Sequence, residues 1–183
     1  MDRRELRNRG RDRAAEAGPH LRKAAGSGER GRSRREEDSR ALRIAPGIHR
    51  IGVGLVNAYL LEEGGEVTIV DAGAPSYWDD LPRELETMGR SLADVRALLL
   101  THAHVDHVGF AERLRRERGV AVRVHELDAR LARGEVTPKN QSFAGPRPLP
   151  VLRFLAFAVT HGLLRATPIL EVATFGDGAT LDV

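Results

Sequence analysis

The sequence predicts a mixed α/β (α+β) domain over residues 41–183, preceded by a basic segment, 1–40, without a core of its own. Three features predict this. Short apolar runs at 95–100 and 120–124 alternate with helical patterns at 81–88 and 108–118, the order expected when helices pack on a sheet. Before them, 41–70 carries strand-like runs parted by a Glu62-Glu63-Gly64-Gly65 turn, which predicts an antiparallel start. Residues 102–107 then read His-Ala-His-Val-Asp-His at the point where a strand gives way to a helix. The carboxyl ends of strands are where α/β sheets collect their ligands.

The first forty residues hold 13 Lys and Arg against 8 Asp and Glu, a net +5 that outweighs the −2 of the remainder and produces the chain's +3. After Met1 their only large aliphatics are Leu6 and Leu21, too few to offset the entropy of folding. A disordered basic tail is expected. Three interpretations stay open: a solvated appendage, a non-specific binder of nucleic acid or an anionic surface, or the product of an over-extended start site. Its eight acids argue against a mitochondrial transit peptide.

Each element of the domain has its own signal. Residues 41–61 read as two strands, the second over 53–61, and 66–70 as a third. Asp79 or Asp80 is placed to cap a helix over 81–88, with Pro82 in the tolerated first turn and Gly89 at the end. Residues 91–94 form a turn into the strand 95–100, a short, mostly apolar run bounded by polar residues that predicts a buried strand. Val108, Phe110, Ala111 and Leu114, spaced among charges, predict a helix over 108–118 closed by Gly119. A strand over 120–124 leads to a short helix through Arg130. The Pro- and Gly-rich stretch 134–150 reads as a loop or the base of a lid. Residues 151–169 mix Phe154, Leu155, Phe157, Val159, Leu163 and Leu164 with few charges. They read either as a core helix or as an apolar wall over the 102–107 cluster. The runs 170–175 and 179–183 flank Gly176-Asp177-Gly178 and predict a hairpin.

The cluster carries the chemistry. A lone histidine in a loop is most simply a solvated residue; three with an aspartate at this spacing read as ligands. In extended chain, residues two apart face the same side, so His102, His104 and Asp106 converge. His107 turns away as the helix starts, which suits it to a second ion beside the first. Imidazole and carboxylate donors, with no thiolate in the chain, suit zinc, with iron or manganese as alternatives. His20, His49, His125 and His161 lie apart from this run and read as structural or solvated.

The segment Thr101-His102-Ala103-His104-Val105-Asp106-His107-Val108-Gly109 resembles the His-x-His-x-Asp-His signature of the metallo-β-lactamase superfamily. Ile69-Val70-Asp71-Ala72-Gly73 is similar to that family's strand-end Asp-x-Gly. Gly47-Ile48-His49-Arg50-Ile51 with Asn57-Ala58-Tyr59-Leu60-Leu61 is similar to its opening. The resemblance covers roughly residues 44–183. It implies the N-terminal half and linker of an αββα sandwich. It implies His102 and His104 on one zinc ion, Asp106 and His107 on a second, and Asp106 as the catalytic group that orients the nucleophile. Asp71 is then a support beside the ligands, or else a turn-former before Gly73. The activity implied is attack of a metal-activated water on a small-molecule ester, thioester, lactone or amide. The family completes its two sites with a third His, a bridging Asp and a final His. These would follow Val183, so the resemblance implies a chain truncated at its C-terminus. The alternative is a catalytically incompetent truncated paralogue acting as a structural or interaction module.

The absence of cysteine excludes disulfides and permits a reducing compartment, so a cytoplasmic location is expected. The apolar stretch 149–164 is interrupted by Arg153 and His161 and is too short for a span, so no membrane partner is expected. Nucleic acid is not expected as a partner of the domain. A half-sandwich leaves a sheet face open, which predicts self-association through that face.

Overall fold

A computed structural model describes residues 42–52, 55–137 and 148–182. The basic segment 1–40, and residues 138–147 of the loop expected over 134–150, lie outside the described residues. Seven strands form one sheet in chain order: β1 (Leu42–Ala45), β2 (Ile48–Gly52), β3 (Asn57–Glu63), β4 (Glu66–Val70), β5 (Val95–Leu99), β6 (Ala121–His125) and β7 (Ala173–Phe175). β1 to β4 are antiparallel neighbours, and β4 to β7 run parallel. Parallel neighbours need crossovers. These carry α1 (Leu81–Thr87) before β5, α2 (Ala111–Arg118) before β6, and α3 (Ala129–Ala132) with α4 (Pro148–Thr160) before β7.

The expected mixed α/β architecture holds, with local corrections. Residues 41–61 form three strands where two were expected, because the chain reverses at Gly47, whose φ of +71° is open to glycine. The strand expected to begin at 53 begins at Asn57. Asp80 occupies the N-cap of α1, but its carboxylate caps nothing; it accepts a hydrogen bond from Arg83 at 2.8 Å. α2 starts at Ala111 rather than 108, and closes at Gly119 with φ +67°, as expected. The hairpin expected over 170–183 does not form: β7 pairs in parallel with β6, and 179–182 make no strand. Leu181 is the one large apolar residue in 179–182, so antiparallel pairing would bury little.

Register explains the core. Ile51, Ala58, Ile69, Leu98 and Val122 lie on one face of the sheet and are buried. They join Tyr77, Leu81, Leu85, Phe110 and Leu114 from the crossovers in one apolar cluster. Arg50, Tyr59, Val70, Leu99 and Arg123 form a row on the opposite face, and each is half-buried. A buried acid ties α2 to the segment leading into β7: Glu112 accepts two hydrogen bonds from Arg115, at 2.8 and 2.9 Å, and one from the Leu170 amide at 3.2 Å. Those bonds, Arg115's first among them, hold its carboxyl below the usual glutamate range.

Candidate metal centre

The cluster sits on the loop after β5, clamped to the loop after β4. The loop after β4 bonds to the end of β5 through Asp71 N to Leu99 O at 2.8 Å, and three backbone hydrogen bonds join the two loops: Ala72 N to His107 O at 2.7 Å, Gly109 N to Gly73 O at 3.0 Å and Phe110 N to Ala72 O at 3.4 Å. Within the cluster, the amides of His107 and Val108 donate to His104 O at 2.9 and 3.2 Å, closing a turn. Two glycines permit the approach. A Cβ on Gly109 would overlap the backbone of Gly73 and Ala74, and one on Gly73 would enter the ring of Tyr77.

Asp71 organises the side chains. It is 5% exposed and holds φ +61°, the one positive value at a non-glycine residue among the described residues. Such a conformation is costly unless its surroundings fix it, and it recurs at functional sites. The carboxylate accepts from the Thr101 amide at 2.8 Å and from His107 Nδ1 at 2.9 Å. The Thr101 hydroxyl lies 2.8 and 3.0 Å from its two oxygens. A carboxylate only accepts, so the proton of that histidine contact sits on Nδ1. The lone pair of neutral His107 is thereby left on Nε2, 3.7 Å from Asp106 Oδ2.

The sequence-predicted residues are brought together. The His102 ring lies 3.8 Å from the His107 ring and 4.7 Å from the His104 ring, centroid to centroid. All four side chains of the motif are half-buried. Burial, reinforced by His107 and His104, holds the His102 pKa below its ordinary value against the pull of Asp71 and Asp106, which keeps a nitrogen lone pair available. Burial also pushes His107 down. There the Asp71 hydrogen bond, with the charges of Asp71 and Asp106, outweighs it and raises the pKa.

Among the described residues no three donors surround one common point as a closed ligand group. Their chemistry nonetheless fits a divalent ion: three imidazoles and a carboxylate within ring-contact distance, one imidazole already oriented by a buried acid as metal-ligating histidines are. His102, His104, Asp106 and His107 are the residues that could hold it. The remaining described histidines are engaged elsewhere. His125 Nδ1 accepts from the Leu127 amide at 3.3 Å, His161 stacks on Phe157 at 4.1 Å, and His49 lies within β2.

Two supports were not foreseen from sequence. Thr101 bridges Asp71 to the motif, and Asp128 accepts from the Ala103 amide at 3.3 Å, pinning the loop from the far side of β6. Ala103 and Val105, which alternate with the histidines, line an apolar cavity with Leu131, Ala132 and Pro168.

Comparison with known proteins bears on the family and the fold. The model of the metallo-beta-lactamase superfamily matches residues 51–179. The uncharacterized protein YobT of Bacillus subtilis is 37% identical over 83 residues, 45% of this chain and 34% of that protein. The probable metallo-hydrolase YflN of the same organism is 28% identical over 87 residues, 46% of this chain and 33% of its own. The match therefore spans about a third of these relatives. Among solved structures, the class B3 di-zinc metallo-beta-lactamase LRA-12 from an Alaskan soil metagenome superposes with a TM-score of 0.60 at 23% identity, over 79% of this chain and 48% of that one. At that identity the likeness is one of fold. With the family match running from β2 to the turn after β7, and the His-x-His-x-Asp-His loop inside it, this chain belongs to the metallo-β-lactamase superfamily.

Proposed function

We propose that His102, His104, Asp106 and His107 hold up to two divalent ions, zinc first and iron or manganese as alternatives, in a hydrolase acting on a small-molecule ester, thioester, lactone or amide. The observation that carries this reading is the hydrogen bond from His107 Nδ1 to the buried carboxylate of Asp71, which aims the ring's other nitrogen at the motif. When bound, such an ion would polarise a carbonyl oxygen and lower the pKa of its water into the neutral range. The chain's own residues supply orientation. Asp106 would orient the attacking water. Asp71 fixes the His107 tautomer, Thr101 braces Asp71, and the amide bonds between the loops keep the motif from spreading. The absence of cysteine suits a reducing cytoplasm.

The test is hydrolysis by the full chain, stripped of metal and reloaded with zinc, on a panel of chromogenic esters, thioesters, lactones and amides. The expected result is zinc-dependent turnover of one of these classes, reduced about a hundredfold by His104→Ala, which removes a ligand from the ion that activates water. Zinc binding with no turnover on any class would favour an interaction module over a hydrolase.

A further inference from the structure

The helix α4 and the turn after it carry an apolar surface that the described residues leave exposed. Phe157 and Ala158 are buried in the core, but Leu149, Leu152, Leu155 and Val159 are 53–67% exposed, and Leu164 is 81% exposed. At 100° per residue, Leu149, Leu152, Leu155, Ala156 and Val159 fall within an arc of about 120°. Exposed apolar residues scattered singly need no explanation; a contiguous stripe does.

Charge says what suits it. Between Glu135 and Glu171 the sequence has no carboxylate, while Lys139, Arg147, Arg153 and Arg165 fall in that interval. Arg153 and Arg165 are exposed beside the stripe. A second copy is a poor occupant. α4 is about 20 Å long, so pairing two stripes buries far less than the roughly 800 Å² per partner of a stable interface. It would also set arginines against arginines with no acid to match. An anionic lipid surface needs no shape complementarity, takes leucine and valine side chains into its acyl boundary and attracts the flanking arginines.

The geometry points to a peripheral membrane contact: α4 lies in the plane of an anionic bilayer, with Leu149, Leu152, Leu155 and Val159 immersed and Arg153 and Arg165 at the headgroups. No spanning helix is needed, and among the described residues none is long and apolar enough to cross a membrane. The expectation of no membrane partner rested on the lack of a span; the exposure along α4 supplies a reason of a different kind. The contact is independent of metal binding.

The experiment is co-sedimentation of the full chain with phosphatidylcholine vesicles and with vesicles containing phosphatidylglycerol. The expected result is partition onto the anionic vesicles, weakened at least about tenfold by the charge-neutral pair Leu152→Ser and Leu155→Ser, and also weakened by Arg153→Glu. These positions are exposed, so circular dichroism should be unchanged. Three outcomes would overturn the proposal: no partition, partition indifferent to the serine pair, or a dimer that the serine pair dissolves. Binding that survives the serine pair but collapses with salt would belong to the Arg-rich residues 1–40.

Discussion

Zinc affinity is expected to fall by 10- to 100-fold when Asp71 is replaced by asparagine, although Asp71 is not among the proposed ligands. Outer partners of metal-bound histidines typically contribute on that scale. Asparagine tolerates the positive φ of this position and preserves the side-chain shape, so the change isolates charge and proton placement. Its amide oxygen can still accept from Thr101, but its NH₂ faces His107 Nδ1 and disfavours a proton there. The ring then shifts its proton to Nε2, the atom needed for the ion. In the metal-free protein, the His107 pKa, held up by Asp71, should drop in this variant, and NMR titration reads it directly. Asp71→Ala should behave differently. It removes the acceptor of the Thr101 and His107 hydrogen bonds and places a residue with no local acceptor at φ +61°, so about 2 kcal/mol of stability should be lost as well. Equal zinc affinity in wild type and Asp71→Asn would refute this role.

Gly109→Ala is expected to be among the most damaging single-methyl substitutions in the domain. The new Cβ would lie well under 3.0 Å from the backbone of Gly73 and Ala74. Backbone cannot rotate away as a side chain can. The loop after β4 cannot retreat either, because Gly73 already abuts the Tyr77 ring and its carbonyl accepts the Gly109 amide. Overpacking of well-packed interiors costs about 1–3 kcal/mol; a clash with hydrogen-bonded backbone at a hub should reach about 3 kcal/mol or more. Thermal unfolding measures it: a large drop in Tm, or loss of soluble protein, is expected. Gly176→Ala, which like Gly109 has no positive φ and whose added Cβ meets only the Glu126 carboxylate at 3.6 Å or more, should cost far less and serves as a control for glycine loss alone. Similar losses in both variants would mean that the loop–loop contact is not the cause.

The legible parts of this molecule were those written in local patterns. The strand ending at Leu99, the helix closed by Gly119 and the six-residue motif each announce themselves through spacing, and the structure puts the strand and the helix where those patterns lie. Contacts between segments distant in sequence were not legible. Nothing near Asp128 signals that its carboxylate reaches the Ala103 amide, and the clamp of Gly73 on Gly109 depends on two loops meeting. The C-terminal run was misread because strand-like composition does not specify a partner, and β6 offered β7 a parallel edge. The stripe on α4 was visible as apolar residues, but whether they face inward or outward is decided by neighbours and not by periodicity.

The most direct test of the metal centre is isothermal titration of zinc into the metal-free chain, compared with a His102→Ala/His104→Ala variant and with His125→Ala. The expected result is saturable binding of one or two ions to wild type and to His125→Ala, and its loss in the double variant. Binding that is the same in all three proteins, or absent from wild type, would contradict a metal centre at residues 102–107.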